Sequence, residues 1–296
     1  KILLFFKDDI SKYFTNAELF IIFKSNKRIL LFLIKEKLII FDNYIINNIF
    51  QKVESVEFFS AEFQPLINEP WFYSLASVKP FIDEIKQKLP DDFYECRQSG
   101  ENSEKICQLI RNDSIKEFIV YITKNQISLE KNINPSIYET NLFLIEREST
   151  SLIEYSAFYG SIQIFNFLIT NKVSINPSMW LYVIHGKNSE IIHYLEDNHI
   201  NLEDKTYVEC INETIKCHHH DVLIYFQNNF KKKIPGKQDI FIQSLKNNNF
   251  ITMEIKLINQ SSSFIYLCKY DYFIIVDFLL KEKKININKK NINNDI

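Results

Sequence analysis

The densest run of ligating and proton-carrying side chains in the chain is Cys217-His218-His219-His220-Asp221. Thiolate sulfur, imidazole nitrogen and carboxylate oxygen are the donors zinc accepts, and histidine also moves protons near neutral pH. Zinc takes about four donors in a tetrahedron, gathered as a rule from separated pairs, and adjacent residues on one helical turn point in diverging directions. The run therefore reads first as structural, with histidines that bond backbone or line a packing seam. A metal site is the lesser reading. His185 and His193 stand eight residues apart with Glu190 between them, which is not the HExxH spacing, so hydrogen bonding at a surface or seam accounts for them. Four glycines in 296 residues hardly supply a phosphate-cradling loop, and no serine sits in a nucleophile-elbow pattern. Cys107 and Cys268 fall on predicted buried faces as small core residues. The Lys231 to Lys233 run and the Lys281 to Lys284 cluster read as solvated helix ends. The expectation is no catalytic residue, no cofactor and no metal.

The composition frames the same conclusion. Apolar residues make up 46% and charged residues 24%, a globular balance, and the net charge of −2 gives no global field for nucleic acid or an anionic membrane. Heavy use of Asn, Ile and Lys reads as a base bias in the gene. Few glycines, and Val scarce beside Ile, argue against an all-β sandwich. The five cysteines, at 96, 107, 210, 217 and 268, show no paired spacing, which suits a reducing compartment. The apolar runs at 2–6 and 29–34 are each ended by charge, far short of the roughly 18 residues of a spanning helix. A soluble, cytoplasmic monomer is expected. Opening on Lys1 suggests a fragment.

Helices must position these side chains. Leu152, Ile153, Ser156 and Ala157 keep helical spacing, Ile164, Phe165, Leu168 and Ile169 do so again, and Gly160 between them can take the left-handed backbone of a tight turn. Ala17 to Lys37 predicts another pair turning at Ser25-Asn26. Ile106, Leu109 and Ile110 predict a helix, as do Phe118, Ile119 and Ile122, with the turn at Asn112 to Ser114. Trp180, Val183 and Ile184 pair with Ile191, Ile192 and Leu195 around Lys187-Asn188. Cys210, Ile211, Thr214 and Ile215 pair with Val222, Leu223 and Phe226 around Cys217-His218. A degenerate unit covers 240–258, and a clear one ends the series with Leu267-Cys268, Asp271 at the turn, Ile275-Val276 and Leu279-Leu280. Ile133-Asn134-Pro135-Ser136 recurs as Ile175-Asn176-Pro177-Ser178, which predicts an Asn cap with proline at the first helical position. Residues 42–80 are expected to be irregular around Pro65, Pro70 and Pro80, with Trp71-Phe72-Tyr73 as an end cap.

The stretch Ser151 to Asn176 resembles an ankyrin repeat: Ser151, Ile153, Ser156-Ala157, Gly160, Ile164-Phe165, Leu168-Ile169 and Ser174-Ile175-Asn176 fall on its pattern, while Leu152 and Glu154 depart from its Pro and His positions. Turn positions Gly160, Lys187 and His218 lie 27 and 31 residues apart, under the ankyrin period of about 33, as trimmed β-turn fingers would give. More narrowly, residues 96–230 resemble a large set of ankyrin-type proteins expanded in some parasitic protists, through ICQLIRNDSIKEFI (106–119), SIYETN (136–141), LIEYSAFYGSIQIF (152–165), LYVIHGKNSEIIHYLE (181–196) and IKCHHHDVLIYFQNN (215–229). That set has no established activity. The resemblance implies an all-α ankyrin-repeat solenoid, with an irregular helical N-terminal region and cap at 1–95 and the array at 96–290. It implies almost nothing about mechanism; the expectation of a protein–protein interaction scaffold working through a concave face, with no intrinsic catalysis, rests on what solenoids usually do. Candidate contact residues are Tyr155, Phe158, Tyr159, Tyr182 and Glu213, and the aromatic ones serve equally well as seam packing. The partner is an unknown protein, neither nucleic acid nor membrane. The alternative is an enzyme or metal-binding module whose active part lies outside the fragment.

Overall fold

The computed structural model describes residues 6–66, 79–147, 149–230, 235–253, 255–258 and 261–282. These residues are mostly helical, and their sheet content is β1 (Asn132–Ile133) paired antiparallel with β2 (Thr150–Ser151). The all-α class expected from the sequence is therefore found. The Trp71-Phe72-Tyr73 cap, the Lys231 to Lys233 run and the tail after Glu282 lie outside the described residues. No helix among the described residues is long and apolar enough to cross a membrane. The chain divides into two compact units, Lys1–Leu109 with Lys131–Leu152, and Ile110–Glu130 with Ile153–Ile296.

In the first unit, α1 (Lys7–Tyr13), α2 (Asn16–Phe23), α3 (Lys27–Lys35) and α4 (Asn43–Ile49) lead to α5 (Val53–Phe58), α6 (Ser60–Phe63), α7 (Lys79–Lys88) and α8 (Phe93–Ser99). Local signals start several of them. Thr15 and Glu18 form a capping box on α2, and the side chains of Asn26 and Asp42 accept from the backbone of Ile29 and Ile45 at the starts of α3 and α4. The pair predicted within Ala17 to Lys37 is α2 and α3, with Asn26 in the turn. The stretch expected to be irregular instead carries α4, α5 and α6 before Pro65, because the prolines follow these short helices and do not interrupt them.

The core of this unit mixes leucine and isoleucine with rings, and Phe20, Phe41, Phe58, Phe59, Phe63 and Phe93 are buried together in it. Arg97 is 1% exposed among them. Its guanidinium donates to both Glu62 carboxylate oxygens, at 2.5 and 2.9 Å, and to the Phe58 carbonyl at 2.7 Å, and lies 4.6 Å from the Phe93 ring centre. Those partners replace the water that burial removes from Nη1 and Nη2, while Nε is buried without a hydrogen-bond partner. The sequence predicts a boundary after residue 95. The contacts instead bring α8 and residues 131–152 into this unit: Asn102 donates to the Asn134 carbonyl, Thr140 to the Gly100 carbonyl and Lys27 to the Ile137 carbonyl.

The remaining helices are α9 (Lys105–Arg111), which enters the second unit at Ile110, α10 (Ile115–Lys124), and α11 (Leu142–Ile145) in the first unit. Then follow α12 (Leu152–Tyr159), α13 (Ile162–Thr170), α14 (Met179–Gly186), α15 (Ser189–Asp197), α16 (Asp204–Lys216), α17 (His220–Asn229), α18 (Lys237–Lys246), α19 (Ile255–Ile258), α20 (Ser261–Lys269) and α21 (Phe273–Lys281). In the second unit α14 packs on α16, α16 on α18 and α18 on α20, while α10 packs on α13 and α13 on α15. First helices of successive pairs lie side by side, and so do second helices. The predicted buried faces hold at Ile164, Phe165 and Leu168, at Ile191 and Leu195, and at Val222, Leu223 and Phe226.

One backbone device ends the first helices. Asp113, Gly160, Lys187, His218, Asn248 and Asp271 have φ between 47° and 68°, the left-handed region. At four of these turns the following amide donates back to the carbonyl five residues earlier: Ser161 to Ser156, His219 to Thr214, Asn249 to Ser244 and Tyr272 to Leu267. The residue after the left-handed one also reaches across the seam, to a carbonyl of the preceding first helix. Ser161 Oγ meets the Ile110 carbonyl at 2.5 Å, His219 Nδ1 that of Ile184 at 2.8 Å, Asn249 Nδ2 that of Ile215 at 2.9 Å, and Tyr272 Oη that of Leu245 at 2.8 Å. Each acceptor stands three residues before the left-handed residue of its own turn, so one register is kept across the series.

The seam between Gly160 and Lys187 departs from this rule for a steric reason. A Cβ on Gly186 would sit 2.1 Å from the Ala157 carbonyl oxygen, so the two backbones touch where elsewhere a side chain bridges. Asn188 donates to the Gly160 carbonyl instead, at 3.1 Å.

Two expectations fail locally. Asn176 does not cap a helix beginning at Pro177. Its side chain accepts from the amide of Ser178, and α14 starts at Met179; after Asn134 the next helix begins only at Leu142. The recurring phrase is a turn leading into a helix, not the cap. Cys268, expected in the core, is exposed on α20, whereas Cys107 is buried as predicted.

Candidate functional site

The equivalence of turns in the second unit brings together residues far apart in sequence. His185 stands two residues before Lys187 at the end of α14, and Cys217 one before His218 at the end of α16. Side-by-side packing of α14 and α16 in one register sets these two side chains against each other. Glu213 lies one turn before Cys217 on the same face of α16. The result is a convergent set of three donors. His185 Nε2 is 3.2 Å from Glu213 Oε1, and Cys217 Sγ is 3.6 Å from that oxygen and 3.9 Å from that nitrogen. His185 and Glu213 side chains are 12% and 13% exposed, and Cys217 is half-buried. The Phe158 ring stacks on the His185 ring at 4.5 Å between centres and 27° between planes, which fixes the imidazole from the side of the preceding pair.

Electrostatics here keep the carboxylate charged and the thiol neutral. Burial alone raises the Glu213 pKa, but the hydrogen bond from His185 and the Lys216 charge, 3.6 Å away, outweigh it and hold the carboxyl below its usual range. Burial and then the Glu213 charge push the Cys217 thiol up to about 12. A nucleophilic cysteine needs the opposite, a lowered pKa from a cationic neighbourhood. The set is thus arranged for coordination or for a hydrogen-bonded cluster, not for thiolate attack by the metal-free protein.

The structure disperses the Cys217 to Asp221 run that drew attention in the sequence. His218 is exposed at the left-handed turn position, His219 donates into the Ile184 carbonyl, and Asp221 lies 3.6 Å from Lys187. His193 pairs with Glu196 on the exposed side of α15. Of the candidate contact positions, Tyr155, Phe158 and Tyr182 are buried, which is the seam packing of the two roles the sequence leaves open to them, and not a face open to a partner. The first helices are flanked on both sides, so these rings fill seams: Tyr155 accepts from Arg111 through its hydroxyl at 2.9 Å, and Phe158 covers His185. Tyr159 and Glu213 are half-buried, Tyr159 with Arg111 5.9 Å from its ring centre.

Sequence reasoning named Glu213, Cys217 and His185 separately and missed their meeting. The signal was present. Once Lys187 and His218 are taken as equivalent turns, the residues just before them must face one another across the seam. Comparison of the chain with family models, with curated proteins and with solved structures finds no match.

Proposed function

We propose that the second unit is an ankyrin-type array of helix pairs and that the chain serves as a protein–protein interaction scaffold without catalysis of its own. The observation that supports this reading is the contact from turn to preceding first helix that recurs at four turns, made by Ser161, His219, Asn249 and Tyr272. A contact repeated in one register gives successive pairs a constant offset. Equivalent outward positions then fall in a row, which is how repeat proteins build an extended binding face. On α16 that row includes Val208, Glu209 and Lys216, which are exposed, and Asn212 and Glu213, which are half-buried. Exposed turn residues Lys187 and His218 continue it.

The test is proximity labelling in the source cell, followed by direct binding of each recovered protein to the purified chain. The variant Val208→Arg with Asn212→Arg is expected to keep its melting temperature and weaken binding by about tenfold or more, the loss of one modest contact energy. Partners bound equally well by wild type and variant would remove the α16 face from the reading. Recovery of no direct binder would remove the scaffold.

A further inference from the structure

We propose that His185, Glu213 and Cys217 form a binding site for a divalent cation of the zinc class, set in the seam between α14 and α16. The geometry carries this. With Zn–N and Zn–O near 2.0–2.1 Å and Zn–S near 2.3 Å, the edges of a tetrahedron are about 3.4 Å between N and O and about 3.6 Å between S and either. The donors stand at 3.2 Å for N to O, 3.6 Å for S to O and 3.9 Å for S to N. The triangle closes around such an ion if the N to O edge opens by about 0.2 Å and the S to N edge shortens by about 0.3 Å.

The donor chemistry selects the ion. Magnesium and calcium take oxygen sets, whereas one thiolate, one imidazole and one carboxylate suit zinc and its neighbours. On binding, the Cys217 S–H bond breaks, its proton leaves to solvent and the sulfur lone pair forms the metal–sulfur bond. The proton that His185 Nε2 shares with Glu213 in the metal-free site leaves to solvent, and the ring binds through Nε2 as neutral imidazole carrying its one proton on Nδ1. Glu213 gives Oε1 and gives up its ion pair with Lys216. Thiolate and carboxylate together cancel the charge of the ion, so the half-buried seam holds no net charge. Three protein donors leave the fourth position to water. Phe158, stacked on His185, limits rotation of the imidazole. The cation then links two consecutive helix pairs at the point where their turns meet.

The experiment uses the full chain, stripped with a chelator and titrated with Co²⁺ and then Zn²⁺. One equivalent of Co²⁺ is expected to bind with intense tetrahedral d–d bands and a thiolate-to-cobalt charge-transfer band in the near ultraviolet, and Zn²⁺ is expected to displace it and raise the melting temperature. Cys217→Ser should abolish the charge-transfer band. His185→Gln and Glu213→Gln should each weaken Zn²⁺ by more than the roughly 10–100-fold typical of losing an outer-shell partner. His193→Ala and Cys268→Ser should change nothing. Circular dichroism of the stripped variants checks that they fold. Should a variant fail that check, alkylation of wild type decides, because Zn²⁺ must protect Cys217 from a maleimide, read by peptide mass mapping. Absence of binding, weak six-coordinate cobalt bands, a charge-transfer band that survives Cys217→Ser, or a Cys217 that zinc leaves unprotected would each overturn the proposal.

Discussion

The two units bury their apolar side chains by different routes. In the first, helices of uneven length converge on one core of aliphatic side chains and rings, and a buried arginine bonds Glu62 on α6 and the end of α5 at once. In the second, burial is divided among seams, and four of these seams repeat one small contact from a side chain to a carbonyl. The lesson concerns how damage spreads. Elements that share one core are coupled all to all, whereas a stacked series is coupled mainly to nearest neighbours.

Arg97→Ala should break this contrast hardest. It leaves Glu62 without its cation and the Phe58 carbonyl without a donor, and removing one partner of a buried pair costs about 3–5 kcal/mol. Chemical denaturation should show the loss, and hydrogen exchange should rise across α2 to α5, α8 and residues 131–152 together. A rise confined to α8 would mean that the first unit is not a single cooperative core.

Gly186→Ala tests the opposite behaviour. The added methyl meets the Ala157 carbonyl at 2.1 Å and the Gly160 nitrogen at 2.8 Å, both backbone atoms that cannot swing aside. Overpacking of this kind costs about 1–3 kcal/mol, and faster exchange should centre on α12 and α14 and fade towards α20. A change spread evenly through the unit would argue against nearest-neighbour coupling.

The smallest effect sharpens the comparison. Asn249→Ala removes one cross-seam hydrogen bond and the long one, 3.4 Å, that Asn249 Oδ1 accepts from the Thr252 amide, but the Ile215 carbonyl still accepts from the His218 amide, so about 1 kcal/mol should be lost. Thermal denaturation of the purified variant checks this, and a loss several times larger would make the seam contact itself a main source of stability.

Much of the second unit was legible in the sequence because its information is local. Apolar spacing alone separates Ile164, Phe165 and Leu168 from the polar residues around them, and the turn positions Gly160, Lys187, His218 and Asp271 all take the left-handed backbone. Gly160 is the expected choice there, yet Lys, His and Asp serve as well, because the cost of one strained residue is offset by the hydrogen bonds its turn makes. The first unit was less legible. Its short helices pack on residues distant in sequence, and the return of 131–152 to that unit follows from contacts such as Asn102 to Asn134 that leave no periodic trace.

What the sequence by itself determined is where helices form, which faces they hide and which residues turn the chain, since 3.6-residue spacing and capping act within a few positions. Tertiary structure alone decided which outward residues stay outward. Tyr155, Phe158 and Tyr182 pass from candidate contact residues to seam packing because neighbouring pairs flank the first helices on both sides. The same packing decided that Cys217 faces His185 and Glu213 and not the histidines beside it, since adjacent residues on one turn diverge while equivalent turns of stacked pairs meet.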